Sequence, residues 1–192
     1  MKKTFIILCC VLFAYISCRN VGITHEYSIP NTILLRESLN KEVEEYIFKT
    51  SPRSTITPEK LVDACIEHGV DIIFVLAHGQ IESSMGTAGI AARTNSVWNV
   101  HSHDGRTTNK IIGAGLGYDH PDQSIHPYLI LLKKNYLVNG KDEQDLMNNF
   151  VSKYGDRYAS SDEFETKLRL LYKHIDRNTN INYLQRSLKK LT

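Results

Sequence analysis

The sequence predicts a mostly α-helical α+β domain carrying one small β-hairpin lobe. Apolar residues recur at three- and four-residue spacing in separate runs between Leu39 and Ile175. Helix starts and stops punctuate those runs, Thr57-Pro58 and Gly69 among them. Between the runs, residues 97–118 lose the helical period and carry Asp104-Gly105 and glycines at 113, 115 and 117. The chain of 192 residues suits one such domain behind a processed leader.

The leader comes first. Met1, Lys2 and Lys3 give a positive start, and Phe5 to Ile16 then run apolar almost without a break. That stretch is shorter than the roughly 20 residues a helix needs to span a bilayer. A charged start before a short apolar core reads as a secretory signal. The run closes on Ile16-Ser17-Cys18, a small residue directly before a cysteine, although Tyr15 stands where Leu is usual. Cys18 is therefore the expected lipidation site of an exported, membrane-anchored periplasmic lipoprotein. The competing reading is a plain signal peptide with an incidental cysteine. The expected division is a signal at 1–18, a tether at 19–37, a folded domain at 38–176 and a polar tail at 177–192.

Helical elements follow in order. Leu39, Val43, Tyr46 and Ile47 share one face, and Ser51-Pro52 ends that helix. Thr57 is the expected N-cap of the next, with Pro58 at its first position and Leu61, Val62, Cys65 and Ile66 facing inward. Asp71 then caps Ile72 to about Glu82, a helix apolar on nearly all sides and so expected at the centre. A short helix follows at about Ala88 to Arg93. After the 97–118 lobe, helical pattern resumes at Ser124 and ends at Asn139-Gly140. Further helices are expected over Glu143–Lys153 and Asp162–Ile175, with a short one at Tyr183–Leu191.

Cysteine and charge narrow the classes. With Cys9 and Cys10 in the leader and Cys18 at its edge, Cys65 is left alone in the body, so no internal disulfide is available. Cys65 sits in an apolar helix pattern and reads as core. The full chain has 23 Lys and Arg against 21 Asp and Glu. Loss of Lys2 and Lys3 leaves 21 against 21, near neutral. No basic stripe supports nucleic-acid binding.

Glu82 is the residue that asks for an explanation. It ends a greasy helix, in the run Leu76-Ala77-His78-Gly79-Gln80-Ile81-Glu82. Partial desolvation and the negative end of the helix dipole both favour a protonated carboxyl. A glycosidase acid needs that property, because it must deliver a proton to the leaving oxygen. The bland alternative is a solvated helix-end glutamate. His78 lies one turn earlier on the same face. It either tunes the acid or is a satisfied core histidine.

The string from Gln80 to Val100 carries more than one glutamate. Glu82-Ser83, Gly86, Ala91-Ala92, Asn95, Trp98, Asn99 and Val100 fall in a helix, loop, helix context. This pattern resembles the glucosaminidase domain of peptidoglycan hydrolases, family 73 of the glycoside hydrolases. Asn149-Phe150-Val151 through Tyr158-Ala159-Ser160 and then Phe164 resemble the same family's last segment. Tyr118-Asp119, Ser124 and Tyr128 resemble the stretch before it. The likeness covers roughly residues 40–176, and departs from the family at His78, where Gln is usual, and at Ser96, where Asn is.

The resemblance implies a lysozyme-like fold and cleavage of a β-1,4 link next to N-acetylglucosamine in peptidoglycan. It implies Glu82 as the general acid. Trp98, Tyr118 and Tyr158 would line a sugar groove, since flat aromatic faces suit pyranose rings. Trp98 reads equally as a core aromatic. Asn95 would bind an acetamido group or hold its loop by turn bonds. Two carboxyls serve most glycosidases, about 5 Å apart in retaining enzymes and about 6.5–9.5 Å apart in inverting ones. Asp104 is the expected second acid and Asp119 the next choice, with Asp104 equally at home as a turn residue. The substrate's own acetamido oxygen is the third possibility.

No metal or organic cofactor is expected. His101, His103, His120 and His126 fall near the loop lobe, and their spacing matches no zinc signature. The absence of a GxSxG string leaves a serine hydrolase unsupported. The expected partner is the peptidoglycan glycan strand, acted on by a monomer held to the membrane by lipid. The alternatives are a lytic transglycosylase on the same fold and a glycan-binding envelope lipoprotein without turnover.

Overall fold

The computed structural model of the chain describes residues 28–100, 110–112 and 115–191. Eight α-helices order these residues: α1 Ser28–Thr50, α2 Pro58–His68, α3 Ile72–Ser83, α4 Ala91–Thr94, α5 Ile125–Leu131, α6 Glu143–Asn148, α7 Phe164–Asn178 and α8 Ile181–Lys189. The mostly helical expectation holds. Two strands, β1 Lys110–Ile112 and β2 Gly115–Gly117, pair antiparallel over three residues each. Strand content this small makes the described domain mainly α, so the α+β description is corrected.

Helix α3 is the axis of the fold. Every side chain from Ile72 to Ala77 is fully buried, as is His78. Helices α2, α7 and α8 pack around it. A buried helix cannot leave its first N–H groups to water, and the neighbours satisfy each of them. Gln185 on α8 accepts from Ile72 N–H at 3.1 Å. The Asp71 carboxylate accepts from Ile73 at 2.7 Å and from Phe74 at 3.2 Å. The Asp71 carbonyl takes Val75 N–H at 3.1 Å. Asp71 is itself held, its N–H by Glu143 at 3.1 Å and its second oxygen by the Tyr172 hydroxyl at 2.8 Å. One cap residue thus ties α3 to α6 and α7, and Gln185 adds α8.

Several boundaries depart from the periodicity. Helix α1 starts at Ser28, inside the expected tether, because it continues as a helix whose inner face packs on α8. The expected tail is structural: Ile181, Leu184 and Leu188 of α8 are buried against the body. Helix α6 stops at Asn148 rather than near Lys153. Asn149 turns extended, and Phe150 N–H goes to the buried Glu165 carboxylate at 3.2 Å. Helix α5 runs on into a wider π turn over Leu132–Tyr136.

Thr57 stands at the N-cap of α2, but its hydroxyl bonds no helix N–H. It donates instead to Asp122 at 2.7 Å, and Thr57 N–H donates to the other Asp122 oxygen at 2.8 Å. Lys60 adds a third donor at 2.9 Å. The Asp122 side chain is only 7% exposed. Burial opposes its charge, but these bonds and His120 outweigh burial and hold the carboxyl below its ordinary range.

A native pKa below the unfolded one adds stability above the unfolded carboxylate value of about 3.9, and that stability is lost as pH falls through the native value. Asp122→Asn is therefore expected to cost roughly 1–3 kcal/mol at neutral pH. The gap to wild type should narrow as pH falls below the unfolded carboxylate value. Urea unfolding of both proteins at several pH values checks this, and a gap that stays constant with pH would show that the charge is not what matters.

Candidate active site

Glu82 occupies the last turn of α3, and its side chain is 15% exposed. Beyond Ser83 the backbone turns left-handed at Ser84 (φ 49°) and Met85 (φ 55°), then at Gly86 (φ 88°). The chain then doubles back across the end of α3. Asn99 closes the return: its amide donates to the Glu82 carbonyl at 3.1 Å and to Glu82 Oε2 at 2.9 Å. Asn99 is itself left-handed (φ 48°), a conformation asparagine adopts more readily than most residues. The acid is thus oriented from outside its own helix.

Ser83 pins the same return. Its hydroxyl donates to the Val97 carbonyl at 2.6 Å and accepts from Gly86 N–H at 2.7 Å. Trp98 lies against the helix and donates Nε1–H to the Val75 carbonyl at 3.1 Å. Gly79 makes room for it. A Cβ at this position would stand 3.0 Å from both Trp98 Nε1 and Met85 Sδ.

His78 lies beneath the acid, fully buried. Five aromatic rings surround it: Phe74, Tyr128, Phe150, Tyr158 and Phe164. Burial pushes its pKa down, with Glu82 pulling the other way, so the imidazole is neutral near pH 7. Burial likewise holds the Tyr128 phenol protonated. His78 Nδ1 is 2.5 Å from that hydroxyl, while Nε2 is 3.7 Å from Glu82 Oε1. We assign Tyr128 as the donor to Nδ1. The opposite tautomer would turn a bare Nε2 lone pair toward a carboxylate oxygen. The assigned tautomer presents Nε2–H to Glu82 at a separation too long for a hydrogen bond.

The other predicted residues separate. Trp98 is fully buried and stacks on Tyr128 at 4.6 Å and 5°. An enclosed indole offers no face to a sugar, so the core reading of Trp98 replaces the groove reading. Tyr158 is half-buried, stacked on Phe150 at 4.6 Å, and its hydroxyl donates to the Trp98 carbonyl at 2.6 Å. Asn95 is left-handed and donates to the Tyr118 carbonyl at 2.9 Å, while Tyr118 N–H donates to Thr94 at 2.7 Å. Asn95 therefore ties its own loop to the segment after β2. The Tyr118 side chain is 7% exposed. Asp119 is exposed, and its N–H donates to Gln123 at 3.1 Å. Asp104 and Cys18 lie outside the described residues.

Two hollows in the described surface lie away from Glu82. One sits between α1 and α7, lined by Tyr46, Lys49, His174 and Asn178 among others. The other sits between α1 and α8, lined by Leu34, Leu35 and Leu191 among others.

Asn99 and Ser83 are the residues whose part the sequence did not disclose. Both stand in the resembling string, but only the fold brings Asn99 onto Glu82. No protein-family model matches the chain, and no curated protein matches it significantly.

Ser83→Ala removes a buried donor and a buried acceptor from the return. A loss of about 1–3 kcal/mol in unfolding free energy is expected. Denaturant midpoints measure it, and a loss below about 0.5 kcal/mol, within the range of an ordinary surface change, would mean that packing alone holds the return.

Proposed function

We propose that the chain is an exported peptidoglycan hydrolase, an endo-β-N-acetylglucosaminidase of lysozyme-like build, with Glu82 as its general acid. One observation carries the reading. A carboxyl at the end of an otherwise enclosed helix keeps partial access to solvent, and the returning Asn99 amide fixes its orientation. The residues that build this arrangement, Glu82 through Val100, are those that carry the glucosaminidase resemblance.

In the proposed reaction the Glu82 carboxyl protonates the glycosidic oxygen, the sugar passes through an oxocarbenium-like state, and water completes hydrolysis. Asn99 donates to Oε2 of the acid and so fixes the orientation of its carboxyl. His78, neutral and dry, adds no charge to the site. Asp104 or Asp119, or the substrate's acetamido oxygen, supplies the second function. Trp98 and Tyr158 act as supports, with Tyr158 bracing the Trp98 backbone. The partner is a glycan strand, and Cys18 is the proposed lipid anchor. Among the described residues no helix is long and apolar enough to cross a membrane.

A second reading is a glycan-binding envelope lipoprotein without turnover. That reading asks for no second carboxyl beside Glu82. Purified cell walls separate the two. Glu82→Gln keeps the shape of the side chain and is expected to slow wall clearance at least about 100-fold. Equal clearance by both proteins would remove Glu82 from the chemistry. No clearance by either would favour the binding reading. Mass spectrometry of the released muropeptides distinguishes hydrolysis from transglycosylation, whose anhydro product is lighter by one water.

Anchoring is tested apart from activity. Cys18→Ser is expected to move the protein from the membrane fraction to the soluble fraction. Unchanged fractionation would end the lipoprotein reading and leave the hydrolase reading standing.

A further inference from the structure

A second cluster of titratable side chains lies where the end of α2 meets the start of α5. His68 closes α2 and His126 opens α5, 58 residues apart in sequence. His68 Nε2 stands 3.1 Å from His126 Nδ1, with the rings 5.3 Å apart and inclined by 62°. Glu67 turns a carboxylate oxygen to the same point, and the three donor atoms lie within 4.8 Å of one another. Two imidazole nitrogens at this separation can share a hydrogen bond or a cation.

We propose that Glu67, His68 and His126 bind a divalent transition metal of the zinc type, bridging α2 and α5. Zinc takes imidazole nitrogen at about 2.0–2.1 Å, so two nitrogens in a tetrahedral shell lie roughly 3.3 Å apart. The observed separation of 3.1 Å is close to that value. The oxygen reaches its place by a rotation of the exposed Glu67 side chain. Two imidazoles and one carboxylate suit zinc, whereas calcium and magnesium prefer all-oxygen shells. Three protein ligands leave a fourth position for water.

The backbone on both sides is set. Gly69 is left-handed (φ 65°) and terminates α2 directly after His68. Pro127 fixes the backbone directly after His126. The site also lies at the negative end of the α2 dipole, which favours a cation. Lys133 is the nearby charge that opposes a cation. The expectation of no metal rested on sequence spacing, and spacing is blind to two histidines that only tertiary packing brings together.

Calorimetric titration of the tag-free chain with zinc chloride, after chelator treatment and dialysis, tests the site. One equivalent should bind to the wild type, and magnesium should not compete. His126→Ala should weaken zinc binding about tenfold or more, since loss of a supporting residue alone costs that much. Glu67→Gln, a milder change at an exposed position, should weaken it as well. A His101→Ala, His103→Ala double variant should bind as the wild type does. Saturating zinc should raise the thermal midpoint of the wild type and leave that of His126→Ala unchanged. Absence of zinc binding by the wild type would overturn the proposal. So would equal binding by His126→Ala, or loss of binding in the His101 and His103 double variant alone.

Discussion

Helix α3 has no solvent face, and that enclosure constrains everything built around it. A polar backbone group inside the core must find a partner or cost about 1–3 kcal/mol. The N-terminal groups find theirs in Asp71 and Gln185, while Glu143 and Tyr172 hold Asp71 from two further helices. Three elements distant in sequence are therefore fastened to one helix end. Full burial on every side also removes most of the helix from any chemistry. Only its ends meet other environments, and Glu82 is the ionisable side chain at the end that opens outward.

The geometry of that end follows from small residues. Gly79 lets Trp98 and Met85 come within contact of the helix backbone. Gly86 and Asn99 take the left-handed conformations that reverse the chain and return it. Ser83 then bonds across the return, and Asn99 bonds to the acid itself. Trp98 contributes by filling the space between α3 and Tyr128, a site where removal of a large aromatic typically costs about 3–5 kcal/mol. The indole that resembled a sugar platform is thus a strut beneath the acid. Tyr158 belongs to the same support, since its ring packs on Phe150 and its hydroxyl on the Trp98 carbonyl. The support itself is braced by Arg157, which pairs with the buried Glu165 at 3.0 Å.

His78 illustrates how one environment decides between two chemistries. A histidine one turn before an acid suggests, on a helical wheel, a group that tunes the acid. Enclosed by five rings, the imidazole stays neutral, and its Nδ1 accepts from the Tyr128 hydroxyl on the side away from Glu82. The pair His68 and His126 shows the converse. Neither sits in a recognisable ligand motif, yet their rings meet at the surface with a carboxylate beside them.

Amphipathic period, Thr57-Pro58, Gly69 and Asp71 determined most of the helices and the central place of Ile72–Ser83, because local backbone preferences and burial of one face act within a few residues. The same local reading placed Glu82 at the end of that helix. It missed the start of α1 at Ser28 and the docking of α8, whose apolar stripes acquire a meaning only against each other. The end of α6 was hidden for the same reason, since Glu165, not a local breaker, captures Phe150 N–H. Tertiary structure alone decided that Asn99 touches Glu82, that Trp98 faces inward, that the Thr57 hydroxyl serves Asp122, and that His68 meets His126. Each is a contact between residues 17 to 65 positions apart, and a sequence pattern with a period of a few residues carries no information about which distant segments share a surface.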